Sequence, residues 1–197
     1  MTELALANRH PRWRLRLPAL RRLLRAVLRD PVFLLPPPGP RGKVAAASGA
    51  SSVALHHQLA VFFVDAPAMA GVNETHLGHA GPTDVITFDY GRPPGAGRDE
   101  AWLCGDLFVC LDVARTQAAD FGTTWPAEVL RYVIHGLLHL RGYDDHAAVD
   151  RRAMKVQENR LLRGLLRGHP ADAAGLLVPR ARRAARRSRR GPTGQAG

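Results

Sequence analysis

The chain has 197 residues, an apolar fraction of 46% and a formal net charge of +11. This length suits one domain with extensions, and the apolar fraction is large enough for a core, which excludes a wholly disordered protein. No apolar run approaches the roughly 20 residues of a membrane span, and residues 1–17 lack the apolar stretch of a signal peptide. Two cysteines are too few for a disulfide framework. We therefore expect a cytoplasmic protein with no membrane partner.

The positive charge is unevenly distributed along the chain. Eight arginines lie within residues 9–29 and seven within residues 180–190. Such clusters attract a polyanion, and nucleic acid is the usual one. The alternative is that they form solvated helix faces and a solubilising tail. Both interpretations stay open for the tail, and we expect disorder beyond residue 180 because the apolar pattern has faded there.

The amino-terminal part is predicted to be a basic helix followed by a connector. Apolar residues recur at helical spacing between Pro18 and Asp30, with arginines on the opposite face. Residues 31–52 are rich in Pro, Gly, Ala and Ser, a composition typical of irregular structure. We therefore set residues 1–52 apart from the domain that follows them.

β-Branched and aromatic residues predict the next elements. They indicate a strand over residues 53–64, which ends at Asp65, a residue suited to cap a helix over residues 66–76. Two further strands are predicted near residues 84–89 and 105–111. The sheet is thus expected to form from the middle of the chain.

Helices dominate the second half of the sequence. The first is predicted to begin at Asp112 as its cap and to reach about residue 121, and the second runs from about 125 to 141. A last helix is predicted over residues 148–167. Strands followed by helices predict an α+β fold.

The most specific signal is the run H-G-L-L-H-L-R-G-Y-D-D-H that begins at His135. His135 and His139 are four residues apart and share one face of the predicted helix. Gly142 can end that helix and turn the chain back, which brings Asp145 and His146 toward the histidines. Three convergent N and O ligands with room for a water are typical of a catalytic zinc site. The alternative is two structural histidines on a buried helix.

The residue after the first histidine separates this pattern from the zinc-protease motif H-E-x-x-H. In that motif the glutamate takes a proton from the zinc-bound water. The chain has Gly136 at this place, and glycine has no group for acid–base chemistry. Peptide hydrolysis by the protease mechanism is therefore not expected.

The same run resembles the H-G-x-L-H-L-x-G-Y-D-H signature of the YbeY family. Residues 82–88 (P-T-D-V-I-T-F) resemble the family's P-T-D-V-L-S-F, and residues 105–109 (G-D-L-F-V) resemble its G-D-I-x-I strand, in the expected order. The resemblance covers about residues 53–163. We therefore predict a YbeY-like domain over residues 53–167 and a basic, disordered tail over residues 168–197.

The resemblance implies both a fold and a function. The family has a small mixed sheet packed with helices and a metal at the mouth of a cleft. The resemblance also implies a zinc-dependent endoribonuclease with one zinc per chain. Such an enzyme would act on single-stranded RNA in small-subunit rRNA 3′-end maturation and ribosome quality control. His135 and His139 would bind the metal, with His139 acting in catalysis together with it.

Asp84, within the P-T-D segment, is either a substrate-binding residue, as the resemblance implies, or an aspartate of a turn or strand start. Tyr143 is a second substrate-binding candidate because it lies between Gly142 and the candidate ligands. Asp106, which follows a glycine at a strand start, either orients a ligand histidine or serves turn chemistry.

Two departures from the family pattern leave alternatives open. The family spacing selects Asp145 as the third ligand, whereas His146, one residue further, is the commoner ligand type. The family often carries an arginine, implicated in catalysis, where this chain has Leu77. The arginines that could replace it are Arg92, Arg98 and Arg141. This second departure favours the alternative function, a non-catalytic, RNA-binding ribosome assembly factor whose metal is structural.

Overall fold

The computed structural model describes residues 1–34, 54–97 and 100–179. The predicted tail beyond residue 180, most of the predicted connector and Arg98 lie outside these ranges. In chain order the elements are β1 (Thr2–Asn8), β2 (Trp13–Leu15), α1 (Leu17–Val27), α2 (Pro31–Leu34), β3 (Ala54–Val64), α3 (Ala66–Leu77), β4 (Val85–Asp89), β5 (Glu100–Cys110), α4 (Leu111–Asp120), α5 (Trp125–Leu140), α6 (Ala148–Gly168), α7 (Pro170–Ala174) and β6 (Leu177–Pro179).

The central sheet is mixed. Its strand order is β1-β3-β5-β4. Strand β3 pairs in parallel with β1 on one side and β5 on the other, and β4 is antiparallel to β5. With helices packed against this sheet, the predicted α+β class is confirmed.

The strand β1 was not predicted, because residues 1–52 were interpreted as a helix and a connector. It pairs from Thr2, opposite His57, to Asn8, opposite Phe63. The helix predicted between Pro18 and Asp30 is present as α1, and it packs on β1, α6 and α7. Residues of the amino-terminal segment thus contribute an edge to the sheet and a helix to the core.

Residues 170–179, which were assigned to the tail, form α7 and β6. Strand β6 pairs antiparallel with β2, with Trp13 opposite Pro179. On the neighbouring surface, Arg22 Nε donates to Asp172 Oδ2 at 2.9 Å. The predicted domain boundaries stay a prediction, but both ends of the described chain contact each other.

Helix α5 lies at the centre of the fold, as its apolar residues predicted. Thr124 caps it, since the Thr124 hydroxyl accepts a hydrogen bond from the Ala127 N–H at 3.3 Å. The helix packs on β4, β5, α4 and α6. Its buried apolar side chains include Val129, Leu130, Val133, Ile134, Leu137 and Leu138.

The predicted cap at Asp112 was wrong. Cys110 occupies the N-cap position of α4 without a side-chain cap, and Asp112 lies in the first turn. Its carboxylate instead accepts from the Ala66 N–H at 3.0 Å and from His10 Nε2 at 3.2 Å. His10 is fully buried. Its contact with Asp112 therefore links the segment between β1 and β2 to the first turns of α3 and α4.

Across the residues that the structure describes, no helix is both long and apolar enough to cross a membrane.

Candidate metal centre

Two histidines on α5 form the centre of the site. His135 and His139 are one helical turn apart, and their Nε2 atoms lie 3.0 Å from each other. Their side chains are 24% and 29% exposed, so both rings are half-buried but open to a ligand on one side.

The turn after α5 brings a carboxylate to this pair. Gly142 adopts φ 87°, a left-handed conformation that favours glycine. Its N–H donates to the His139 carbonyl at 2.8 Å, and the chain then reverses. Asp145 Oδ2 consequently lies 3.7 Å from His135 Nε2 and 3.9 Å from His139 Nε2. The three ligand atoms form one compact cluster.

His146 points elsewhere. Its side chain is 89% exposed, and its ring Nδ1 contacts the Asp144 carboxylate. The hydrogen bond from His146 lowers the pKa of Asp144 to about 2, and the same contact raises the pKa of His146. Asp144, Asp145 and His146 form a second group of close ligand atoms, separate from the histidine pair. Of the two residues that the sequence left open, the turn places Asp145 beside His135 and His139.

The hydrogen bonds of the two imidazoles define their tautomers. His135 Nδ1 contacts Glu158 Oε2 at 3.2 Å, and His139 Nδ1 contacts the Tyr143 carbonyl at 3.1 Å. Both partners only accept hydrogen bonds, so each Nδ1 carries the hydrogen. In the neutral rings, both Nε2 atoms then present lone pairs to each other at 3.0 Å.

Two facing lone pairs cannot form a hydrogen bond, whereas a cation between them satisfies both. Burial, and next the neighbouring His135, lower the pKa of His139, which favours the neutral ring that ligates metals. Two imidazole nitrogens and a carboxylate oxygen are a ligand set that suits zinc. The residues present therefore fit a divalent metal ion.

Glu158, on α6, was missed by the sequence interpretation. Its side chain is 4% exposed, and it accepts from Arg131 Nη1 at 2.7 Å and from Lys155 Nζ at 2.9 Å in addition to His135. Burial opposes its ionisation, but the hydrogen bonds from His135, Arg131 and Lys155 outweigh burial and lower its pKa to about 2. The available signal was a charged residue within the apolar stripe of α6, four residues after Met154.

Replacing Glu158 with glutamine is expected to weaken zinc binding about 10- to 100-fold, because the carboxylate that orients the His135 ring is lost. Isothermal titration of zinc into the metal-free protein measures this. Glu74→Gln, on the exposed side of α3, is the matched control and should bind zinc as the wild type does. Equal zinc affinities in the two variants would show that Glu158 does not support the site.

The other predicted residues have distinct places. Asp84 Oδ1 accepts from the Val85 N–H at 2.9 Å, and the Asp84 side chain lines a cavity beside His135. Tyr143 contributes its carbonyl to His139, while its ring packs on the main core. Asp106 accepts from the Tyr90 hydroxyl at 3.0 Å. Of the two carboxylates, Glu158 contacts His135, whereas Asp106 contacts Tyr90.

The position at which the resemblance predicts an arginine is occupied by a leucine. Leu77, at the end of α3, is 51% exposed. Arg141 is buried and its Nε donates to the Val32 carbonyl at 2.7 Å, so it stabilises the contact with α2. Arg92 is exposed in the loop after β4.

Gly136 is required by packing. A Cβ atom at this position would lie 2.7 Å from Leu107 Cδ2 and 2.9 Å from Thr87 Oγ1. The face of α5 next to His135 therefore lies directly on β4 and β5. A glutamate here would point into the sheet.

A mixed sheet packed on a helix with H-x-x-x-H, and a carboxylate delivered by a glycine turn, define a class of candidate metalloproteins. The family described as Endoribonuclease YbeY matches residues 42–166, more than half of the chain. The chain therefore belongs to the YbeY family.

Individual relatives agree with this assignment. A protein of Kineococcus radiotolerans named endoribonuclease YbeY is 40% identical over 129 residues, which cover 63% of this chain and 75% of the relative. A protein of the same name from Methylococcus capsulatus is 36% identical over 110 residues, covering 56% of this chain and 71% of the relative. A solution structure of a Thermotoga maritima protein has the same fold, with a TM-score of 0.52, 20% identity, and coverage of 86% of this chain and 93% of the other.

Proposed function

We propose that this chain is a zinc-dependent endoribonuclease that cuts single-stranded RNA, acting in the cytoplasm in small-subunit rRNA 3′-end maturation and ribosome quality control. The observation that carries the proposal is the convergence of His135, His139 and Asp145, with two imidazole lone pairs facing each other. The names of the relatives support the endoribonuclease activity. The net charge of +11 supports a polyanionic substrate.

His135, His139 and Asp145 would hold the zinc ion, one per chain. When bound, zinc supplies a Lewis acid that polarises a phosphoryl oxygen and lowers the pKa of a water. His146 is the other candidate for the third ligand.

The residues around the metal centre orient it and restrict its chemistry. Glu158 and the Tyr143 carbonyl keep the hydrogen of each imidazole on Nδ1, so both Nε2 atoms stay available as ligands. The attacking oxygen comes from a water or from the 2′-hydroxyl of the RNA. Gly136 stands where H-E-x-x-H peptidases carry their glutamate base, so their mechanism of peptide hydrolysis is not available to this chain.

A second candidate function rests on Leu77. An exposed leucine stands where the family often has an arginine, and leucine cannot stabilise the charge that develops on a phosphate. A chain without that cation could hold RNA with its arginines and use the metal only to stabilise its structure. It would then be a ribosome assembly factor without catalytic activity.

Cleavage assays discriminate between these functions. The zinc-loaded protein should cut a labelled single-stranded RNA, and a chelator should abolish cleavage until zinc is restored. Casein should stay intact under the same conditions. If clean, fully loaded protein cuts neither free RNA nor the rRNA within ribosomal particles, the nuclease is excluded and the assembly factor takes its place.

The third ligand can be assigned with one pair of variants. Asp145→Ala should weaken zinc binding by more than about tenfold, because it removes the only carboxylate near both histidines among the described residues. His146→Ala should leave zinc affinity within about twofold, since its exposed ring contacts Asp144. Zinc titration measures both variants, and the reverse order of effects would assign His146 as the ligand.

A further inference from the structure

The metal centre opens onto a cavity of about 190 Å³. Its lining includes Asp84, Gln117, Asp145 and residues of α5 and α6, His135 among them. A substrate held at the zinc ligands would therefore extend directly into this space. Two of its lining residues stand out: the Tyr132 hydroxyl has no hydrogen-bond partner among the described residues, and Arg151 contacts carbonyls rather than a carboxylate.

Tyr132 presents a buried hydroxyl that lacks a hydrogen-bond partner. Only 3% of the residue is exposed, and within the described part of the chain no atom bonds to its hydroxyl oxygen. A buried hydroxyl without a partner costs about 1–3 kcal/mol. Burial, followed by the nearby Asp84, raises its pKa, so the hydroxyl stays protonated and available as a donor.

The cations that line the cavity differ in how they are paired. Arg131 and Lys155 both contact the carboxylate of Glu158, at 2.7 and 2.9 Å. Arg151 instead donates from Nη1 to the Asp145 carbonyl at 2.8 Å and, more weakly, to the His146 carbonyl at 3.5 Å. Carbonyls do not neutralise its charge, and Arg151 forms no ion pair with a carboxylate of the described residues. It therefore lies beside the site as an exposed side chain that contacts two carbonyls, and its positive charge is not neutralised by them.

We propose that this cavity is the subsite for one nucleotide of the RNA next to the cleaved bond, with Arg151 binding its phosphate and the Tyr132 hydroxyl donating to its sugar or base. A guanidinium is suited to phosphate because it offers several N–H donors in one plane. Because Arg151, in the first turn of α6, hydrogen-bonds to the backbone carbonyl of Asp145, the phosphate would lie next to the ligand cluster. This inference rests on the proposed nuclease function and adds the residues that position its substrate.

Two matched pairs of variants test the subsite. Arg151→Ala is compared with Arg152→Ala, an exposed neighbour on α6 that does not line the cavity. Tyr132→Phe is compared with Tyr90→Phe, whose hydroxyl contacts Asp106 outside the cavity. The probe is a fluorescein-labelled, 2′-O-methylated oligouridylate, which the protein can bind but not cleave through a 2′-hydroxyl. Affinity is measured by fluorescence anisotropy without metal, over a range of salt concentrations.

Arg151→Ala should weaken binding about tenfold and reduce the slope of log affinity against log salt by about 0.7, as expected for one lost phosphate contact to a single strand. Arg151→Lys should recover the slope, because it restores the charge. Tyr132→Phe should weaken binding about three- to tenfold while its melting temperature stays equal or rises, since removing an unpaired buried hydroxyl does not harm the fold. Both control variants should bind within about twofold of the wild type.

The outcomes separate the subsite from the proposed function. If Arg151→Ala lowers zinc affinity but leaves RNA affinity and salt slope unchanged, Arg151 only supports the loop and the subsite is wrong. If Tyr132→Phe binds RNA as the wild type does, the hydroxyl has no substrate role and the subsite is wrong in that part. If zinc-loaded wild-type protein neither binds nor cuts single-stranded RNA, the proposed function is wrong, and the subsite that depends on it is wrong as well.

Discussion

His139→Ala is expected to reduce zinc affinity by more than about 100-fold and RNA cleavage to background. Loss of a residue that only orients a ligand already costs about 10- to 100-fold, and His139 is itself one of the three converging groups. The remaining two, His135 and Asp145, cannot form a three-ligand zinc site. Zinc titration and cleavage of labelled RNA measure the two effects, and His135→Ala should behave in the same way.

The control for this variant is His79→Ala, an exposed histidine in the loop after α3. It should retain both zinc binding and cleavage. The fold of His139→Ala should survive, because removal of one ring also removes the unfavourable contact between two Nε2 lone pairs. A His139→Ala protein that keeps full zinc affinity would locate the metal elsewhere.

Gly136→Ala is expected to destabilise the protein by about 1–3 kcal/mol, because the new methyl group would overlap Leu107 and Thr87. The methyl group should also displace α5 from the sheet and weaken zinc binding, since His135 directly precedes Gly136. Gly136→Glu should unfold at a lower denaturant concentration than Gly136→Ala, because its carboxylate would be buried against the sheet. For the same reason it should not gain peptidase activity. Urea unfolding and zinc titration provide the measurements.

Gly164→Ala is the matched control, because Gly164 also lies within a helix but a Cβ atom there meets nothing within 4 Å. It should stabilise the protein by about 0.5–1 kcal/mol, as alanine loses less backbone entropy than glycine in a helix. If both alanine variants raised stability, the close contact of α5 with the sheet would be contradicted.

The parts of the fold that were predicted correctly are those with local signals. Thr124 and the apolar residues of α5 identified the central helix. The four-residue spacing of His135 and His139 also predicted that their rings lie close together, as they do, while their role as metal ligands stays a prediction. The parts that were missed depend on residues far apart in sequence. Strand β1 is defined by its pairing with β3, and the role of Glu158 depends on how α6 packs against α5.

The third ligand illustrates a different limit. The family spacing selected Asp145, but the commoner ligand type favoured His146, so the sequence left both open. Neighbouring side chains after a turn differ in direction, which residue spacing does not give. The left-handed conformation of Gly142 and the reversal after it decide which one faces the histidines. Such directions depend on backbone dihedral angles, which residue types restrict but do not determine.

The parallel pairing of β1 with β3 has a consequence for synthesis of the chain. A hairpin can close as soon as its second strand emerges, but β1 must wait for a partner that begins opposite Thr2 only at His57. During translation the first strand leaves the ribosome well before that partner exists, with its backbone groups unpaired. Formation of this sheet edge is then a non-local step, of the kind that slows folding, and until it occurs the unpaired backbone of β1 can pair with another strand.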